Sequence, residues 1–390
     1  MKSKKKRKEM LPTTKAILLF LLIHLHTIPC EVFAVSLTVK DGILLPSGKY
    51  IGTFTSQLQS AIDSLYPAVD QTTWSSISLV NNSVLRYLDL QGHYYADAPL
   101  LLPSLFVLRL NGSLIDAANL TSHPLNGDAS AYPGLVTLNS TTYSAVLGVG
   151  TAPTINASTH NGTQMHAVSV LNSQKSAVRG LRAVSQWETC VGIRGGVHNE
   201  VSSNDVGGEP GRTTSGRGVW TLATSRAYVH HNHVHHADKH ALDFDAYTGA
   251  SVAWENLCED NKEEGIFVEE TAHDNVIVSN TCRRNGHGIG VYTLTVGPVS
   301  SNTFFGNVVA NNVKEGITVG GLGHDSTHFS EKNVFFANTA TGNNGSGAQF
   351  NPMHGANQGD HWFGNTVASE SGTQFSPIPH ENREVSIFEP

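Results

Sequence analysis

Acids and histidines, with one lysine and one tyrosine, recur at matched offsets between residues 239 and 292: Lys239, His240, Asp243, Asp245, Glu263, Glu264, Glu269, Glu270, His287 and Tyr292. They surround short apolar segments that begin at Leu242, Ile266 and Ile289. Two residues before those starts stand His240, Glu264 and His287. One residue after stand Asp243, Phe267 and Gly290, and three residues after stand Asp245, Glu269 and Tyr292. An earlier segment starting at Val219 puts Arg217 and Trp220 into the first two of these slots. If equal slots meet in space, the titratable groups crowd together and shift one another's pKa values. Such shifts let a proton donor and a proton acceptor coexist at one pH. Arg217, Trp220 and Phe267 would then bind the substrate, the aromatics offering faces for ring stacking. The carboxylates Asp243, Asp245, Glu269 and Glu270 form an oxygen-rich set that a hard cation such as Ca2+ takes.

The slots meet only if the chain repeats. Asn232, Asn256, Asn280, Asn307, Asn338 and Asn365 each open a unit, with gaps of 24, 24, 27, 31 and 27 residues. One strand signal and one turn signal per unit at such a period indicate a solenoid. Because the units read as strands, the expectation is an all-β, right-handed single-stranded parallel β-helix of about ten coils over residues 85–367. Equal slots then lie about 4.8 Å apart on paired strands. Alternation sends every second side chain inward. The expected core ladders are Val219, Leu242, Ile266, Ile289, Ile317; then Thr221, Phe244, Val268, Val291, Val319, Phe350; and Trp254, Val278, Phe305, Phe336, Phe363. The slots between them are expected to face solvent. The asparagines belong at a bend, where their amides satisfy turn backbone. Cys258 and Cys282 share one slot on adjacent coils and are placed within disulfide range.

The remaining segments fit one rod. Residues 1–34 read as a signal peptide: a basic run from Lys2 to Lys8, an apolar core from Ala16 to Ile28 shorter than a bilayer span, and a small-residue cleavage site at Val32-Phe33-Ala34. Residues 35–84 form an N-terminal cap region, with an amphipathic helix at 55–66 covering the open sheet edge. Residues 368–390 lack the repeat and form a tail or cap. The formal charge of −7 becomes −12 without the seven basic and two acidic residues of the signal segment. That excludes nucleic acid and an anionic membrane as partners. Asn81, Asn111, Asn119, Asn139, Asn156, Asn161 and Asn344 carry the N-glycosylation pattern, which fits a secreted or cell-wall location. The run from His230 to His236 is metal-binding material, yet its spacing matches no closed zinc motif.

Over residues 165–367 these features resemble the right-handed parallel β-helix proteins of the pectin-lyase-like superfamily. Glu263-Glu264-Gly265-Ile266 and Gly286-His287-Gly288-Ile289 are similar to the acid pair and the Gly-His-Gly of polygalacturonases. His240 stands where their first acid would be, and Ile317-Thr318-Val319 replaces their Arg-x-Lys. The stretch from Ala241 to Val268 is similar to alginate C5-epimerases and related lyases. Their Asp-Pro-His-Asp motif reads Asp243-Phe244-Asp245-Ala246 here.

The resemblance implies a monomeric secreted enzyme acting on a polysaccharide. The leading expectation is a lyase or C5-epimerase that abstracts the C5 proton of a uronate. Lys239, His240 or His287 is the base and Tyr292 the acid. Charge is neutralised by Arg217 and Lys239, or by Ca2+ on Asp243, Asp245, Glu269 and Glu270. The alternatives are a glycoside hydrolase using two carboxylates among Glu263, Glu264, Asp243, Asp245 and Glu269, and a glycan-binding wall or matrix protein without activity.

Overall fold

The computed structural model describes residues 35–40, 86–96, 99–117, 134–158, 165–185, 189–208, 216–293, 297–321, 330–343, 349–352 and 357–367. One coil runs through the strands Glu264–Glu269, Val276–Val278 and Thr281–Arg283, and the next begins at His287–Thr293. These strands belong in turn to a ten-stranded, a twelve-stranded and an eleven-stranded sheet, and pairing among the described residues is parallel. Ten strands in the first of these sheets count ten coils. The expected signal segment and the 55–66 helix lie outside the described residues. Val35–Lys40, inside the stretch assigned to the cap, pairs in parallel with Arg86–Gln91 and extends the twelve-stranded sheet.

The alternation of apolar residues forms the core. Val219, Leu242, Ile266, Ile289 and Ile317 stack in register and are buried, as are Thr221, Phe244, Val268, Val291 and Val319. Burying each large apolar side chain contributes about 1.5–3 kcal/mol. Two expectations need correction. Phe350 stacks on Ile317, one rung slot earlier than expected. The third inward ladder is Ala253, Ile277, Phe304, Phe335 and Trp362, and Trp254, Val278, Phe305, Phe336 and Phe363 point outward. The doublets Phe304-Phe305, Phe335-Phe336 and Trp362-Phe363 give no alternation to read. A slip of one residue then exchanges the faces.

The bends follow one rule. Each ladder asparagine comes after a residue in the left-handed region: His231, Glu255, Ser279, Gly306, Ala337 and Gly364 have φ of 54, 51, 54, 64, 52 and 62°. The reversed backbone leaves amides and carbonyls that no strand completes, and the asparagine takes them. Asn256 Nδ2 donates to the Asn280 Oδ1 at 2.9 Å and to the Val229 carbonyl at 2.9 Å, while its Oδ1 accepts from the Asn232 amide at 3.0 Å. The same chain of bonds joins Asn280, Asn307, Asn338 and Asn365. Two further ladders repeat it at the other bends: Asn275, Asn302, Asn333 and Asp360, and Asn261, Asn285, Asn312 and Asn343. An unpaired buried polar group costs about 1–3 kcal/mol, so these rows fix the coil register.

Cys258 and Cys282 are register partners, but both are free buried thiols, so the expected disulfide is absent. Parallel neighbours hold their Cα–Cβ vectors side by side. Their Cβ atoms therefore stay near the strand spacing of about 4.8 Å, beyond the roughly 3.5–4.5 Å that a disulfide needs. Cys190 is buried and free, with its thiol pushed up to about 12 by burial. Of the glycosylation-pattern asparagines, Asn111 and Asn139 are exposed and Asn156 is half-buried. Asn81, Asn119, Asn161 and Asn344 lie outside the described residues.

Candidate active site

The outward slots of the ten-stranded sheet hold the sequence's titratable residues. Register pairs Trp220 with Asp243, Asp243 with Phe267 and Phe267 with Gly290; Glu264 faces His287, and Glu269 faces Tyr292. These positions are not open to solvent as expected. Trp220, His240, Asp243, Glu264, Phe267, Glu269 and Glu270 are all buried. Large side chains one rung apart cover each other. The Phe267 ring lies 4.5 Å from that of His240 and 4.6 Å from that of Tyr292, between centroids. Phe267 and Trp220 are therefore packing beneath the polar groups rather than faces open for sugar stacking.

Two polar groupings share this floor. In the first, the Glu264 carboxylate joins two coils. His240 Nδ1 lies 2.6 Å from Glu264 Oε2, and the Tyr292 hydroxyl donates to Glu264 Oε1 at 2.5 Å. Burial alone would raise the Glu264 pKa, but His240 and Tyr292 outweigh it and hold it at about 2. The Tyr292 phenol is driven well above its ordinary value by burial and by the adjacent Glu264 charge, so it keeps its proton. His240 Nε2 lies 3.4 Å from Glu263. Gly290 makes the arrangement possible: a Cβ there would stand 2.8 Å from Glu264 Cγ and 2.9 Å from Tyr292 Cε1.

In the second grouping, oxygens of Asp243, Asp245 and Glu269 lie within 4.8 Å of one another. Arg217 Nε donates to Asp243 Oδ2, and the Arg217 guanidinium lies 5.5 Å from the Trp220 ring centre. Trp220 Nε1 donates to Asp245 Oδ2 at 2.8 Å. Asp243 Oδ1 is buried without a hydrogen-bond partner. Burial and then the charges of Asp243 and Asp245 push Glu269 up to about 10, so it is a neutral acid at pH 7. Burial pushes Asp243 to about 6, against the pull of Arg217 and His240.

The other expected residues fall elsewhere. Glu270, at φ 56°, accepts from the Thr293 hydroxyl at 3.1 Å and is not part of the carboxylate triad. His287 Nδ1 lies 3.0 Å from Glu315. Lys239 is half-buried on the preceding turn and has no ion pair among the described residues. His166 was missed. It fills the slot two before Val168, stacks 6.1 Å from Trp220, and burial lowers it to about 3, so it is neutral. The signal was the slot itself, two coils before that of Arg217, where the repeat is irregular.

Residues 167–334 match the family model described as a right handed beta helix region. No curated protein matches the chain in sequence. Among solved structures, a polygalacturonase from Erwinia carotovora ssp. carotovora is 13% identical with a TM-score of 0.61, covering 92% of this chain and 98% of that one. Endopolygalacturonase I from Stereum purpureum, solved with two galacturonates, is 14% identical with a TM-score of 0.55, covering 77% and 94%. A periplasmic alginate epimerase is 9% identical with a TM-score of 0.50, covering 74% and 78%. Among the described residues, no helix is long and apolar enough to cross a membrane. Sequence match, sheet topology and these neighbours agree that the chain has a right-handed parallel β-helix fold.

Proposed function

We propose that this protein is a secreted polysaccharide lyase or C5-epimerase that acts on a uronate-containing glycan. The observation that carries the reading is the Glu264 carboxylate shared by His240 and Tyr292 on neighbouring coils. When Nδ1–H of His240 donates to Glu264, Nε2 carries the lone pair and serves as base. His240 Nε2 takes the C5 proton, and the electron pair moves into the uronate carboxyl as an enediolate. In elimination, that pair returns to form the C4–C5 double bond, the C4–O4 bond breaks, and the Tyr292 hydroxyl gives its proton to O4. In epimerisation, the Tyr292 hydroxyl instead gives its proton to C5 from the opposite face as the enediolate collapses back to the carboxylate.

Neutral Glu269 solves the electrostatic difficulty of an acidic groove. Its proton donates to the uronate carboxylate and stabilises the enediolate, while Arg217 balances Asp243. The Asp243, Asp245 and Glu269 oxygens also fit a hard cation, since Asp243 Oδ1 is buried and unpartnered. Ca2+ takes about six to eight oxygens, so substrate and water would complete the shell. Bound there, it would neutralise the same carboxylate.

A second reading is favoured by one observation, a proton-loaded Glu269 within 4.8 Å of Asp243 and Asp245. A protonated acid beside an ionised carboxylate suits glycoside hydrolysis. A panel of pectate, alginate, glucuronan and neutral glycans, with and without Ca2+, separates the cases. An ultraviolet-absorbing unsaturated end means elimination. New reducing ends without it mean hydrolysis and overturn the lead. Binding without turnover on the whole panel means a glycan-binding protein.

A further inference from the structure

We propose that Asp205, His233 and His235, on the outer face of the eleven-stranded sheet, form a site for one divalent ion of the zinc class. The strands Asp205–Gly207 and His233–His235 are neighbours, with Asp205 opposite His233 and Gly207 opposite His235. Alternation buries Val234 and sends both histidines to the same outer side. Gly207 presents no side chain, so the Asp205 carboxylate reaches across to His235. Its Oδ1 lies 2.8 Å from His235 Nε2 and 3.5 Å from His233 Nδ1. All three ligand atoms fall within 4.8 Å of one another. A tetrahedral ion with bonds of about 2.0–2.1 Å keeps its donors roughly 3.3 Å apart, and the two observed separations bracket that value.

A second observation concerns the nitrogens that face away. His233 Nε2 lies 2.9 Å from Glu259 Oε1, and Glu259 is itself held by Arg283 Nε at 2.6 Å. His235 Nδ1 lies 2.8 Å from His236 Nδ1. When those outer nitrogens carry the protons, the lone pairs of His233 Nδ1 and His235 Nε2 point at Asp205. A carboxylate behind a ligating imidazole is the support that metal-bound histidines have elsewhere. Two imidazoles and one carboxylate select a borderline ion such as Zn2+ over Ca2+. Three protein ligands leave a fourth position open to water or an outside donor. Half-exposed Asp205 and His233 keep that position accessible.

The rest of the histidine run does other work. His230 stacks on Trp254 at 3.8 Å and bonds to Glu200, while His231 pairs with Glu255 at 2.7 Å. The site therefore depends on coil register and not on the richness of the run, and it lies on a different sheet from the candidate active site.

The test is calorimetric titration of the metal-free full chain with ZnCl2, and separately with CaCl2. One tight Zn2+ equivalent is expected. His235→Ala and Asp205→Asn should each weaken it at least about a hundredfold, and Glu259→Gln by about 10–100-fold, while His230→Ala leaves it unchanged. Zn2+ should also raise the melting temperature of the parent and of His230→Ala, but not of Asp205→Asn, whose exposed side chain makes it the safer variant for folding. Binding that survives Asp205→Asn overturns the proposal by placing the ion elsewhere. Equal losses in His230→Ala and His235→Ala overturn it too, since they would mean diffuse capture by the run.

Discussion

Glu269 and Glu200 occupy outward slots of one rod, on the ten-stranded and twelve-stranded sheets, yet sit in opposite states. Glu200 is bonded by His230 at 3.1 Å, Ser202 at 2.6 Å and Arg179 at 2.5 Å. Burial pushes its pKa up, but these partners outweigh it and hold the group at about 2. Glu269 is pushed to about 10 by burial and by Asp243 and Asp245, and Arg217 does not offset them. The slot geometry is the same on both faces. The difference is charge balance under burial: Glu200 has Arg179 and His230 beside it, whereas Glu269 shares its floor with two further carboxyls and a single guanidinium. A titratable ladder on a solenoid thus becomes a candidate site where partners run short, not where acids are most numerous.

The sharpest way to break this contrast is Glu264→Gln. The amide keeps the volume but loses the charge that orients His240 and Tyr292. Turnover on the best glycan should fall by about 10²–10⁴-fold, while Glu200→Gln leaves it unchanged. Equal losses in both variants would refute the claim that the two faces differ in kind.

Gly290→Ala comes next. A methyl group at 2.8 Å from Glu264 Cγ and 2.9 Å from Tyr292 Cε1 must move one of them. Displacement near 1 Å costs about a hundredfold in rate, and overpacking costs about 1–3 kcal/mol in stability. A rate loss with an unchanged KM is expected, because the shift concerns proton transfer rather than binding.

Much of this was legible in residues, and the failures have physical causes. Asn256 and Asn280 declared the coil because a left-handed residue needs an amide behind it, and that need repeats with the period. Asn275 and Asn302 obey the same rule but were overlooked among more varied neighbours. Phe304-Phe305 hid its face because two equal neighbours carry no alternation. Glu269, Asp243 and Tyr292 were found by slot. Their burial was not, because it arises between coils, where Phe267 packs on His240 and Tyr292 across rungs that only register brings together.

Thermal stability against pH sharpens the comparison further. Folded Glu269 keeps its proton to about 10, whereas an unfolded glutamate loses it near 4.5. The folded state binds the extra proton between those values. Its contribution is complete below pH 4.5 and is lost as pH climbs toward 10, by at most about 1.4 kcal/mol per pH unit. Asp243 adds the same sign between 3.8 and about 6. Buried His166, lowered to about 3, adds the opposite sign up to about pH 6.5. Above that, melting temperature should fall to about pH 9, and Glu269→Gln should flatten that slope and raise the melting temperature at its alkaline end. A variant that melts lower than the parent throughout would mean that the acid is paired after all.

The smallest effect has the opposite sign and comes from Glu200→Gln. Folded Glu200 titrates at about 2 and unfolded at 4.5, so its contribution is complete above pH 4.5 and is lost as pH falls toward 2. Its partner Arg179 is 53% exposed, and water screens such a pair to about 0–1 kcal/mol. In a chain of this size that shifts the melting temperature by about 2 °C or less. Parent and Glu200→Gln curves should run parallel at neutral pH, the variant slightly lower, and converge in acid. Parent and Glu269→Gln curves should instead diverge toward alkali. If both substitutions moved the curves in the same direction at the same pH, charge balance would not be what separates the two faces, and the site on the ten-stranded sheet would lose its physical basis.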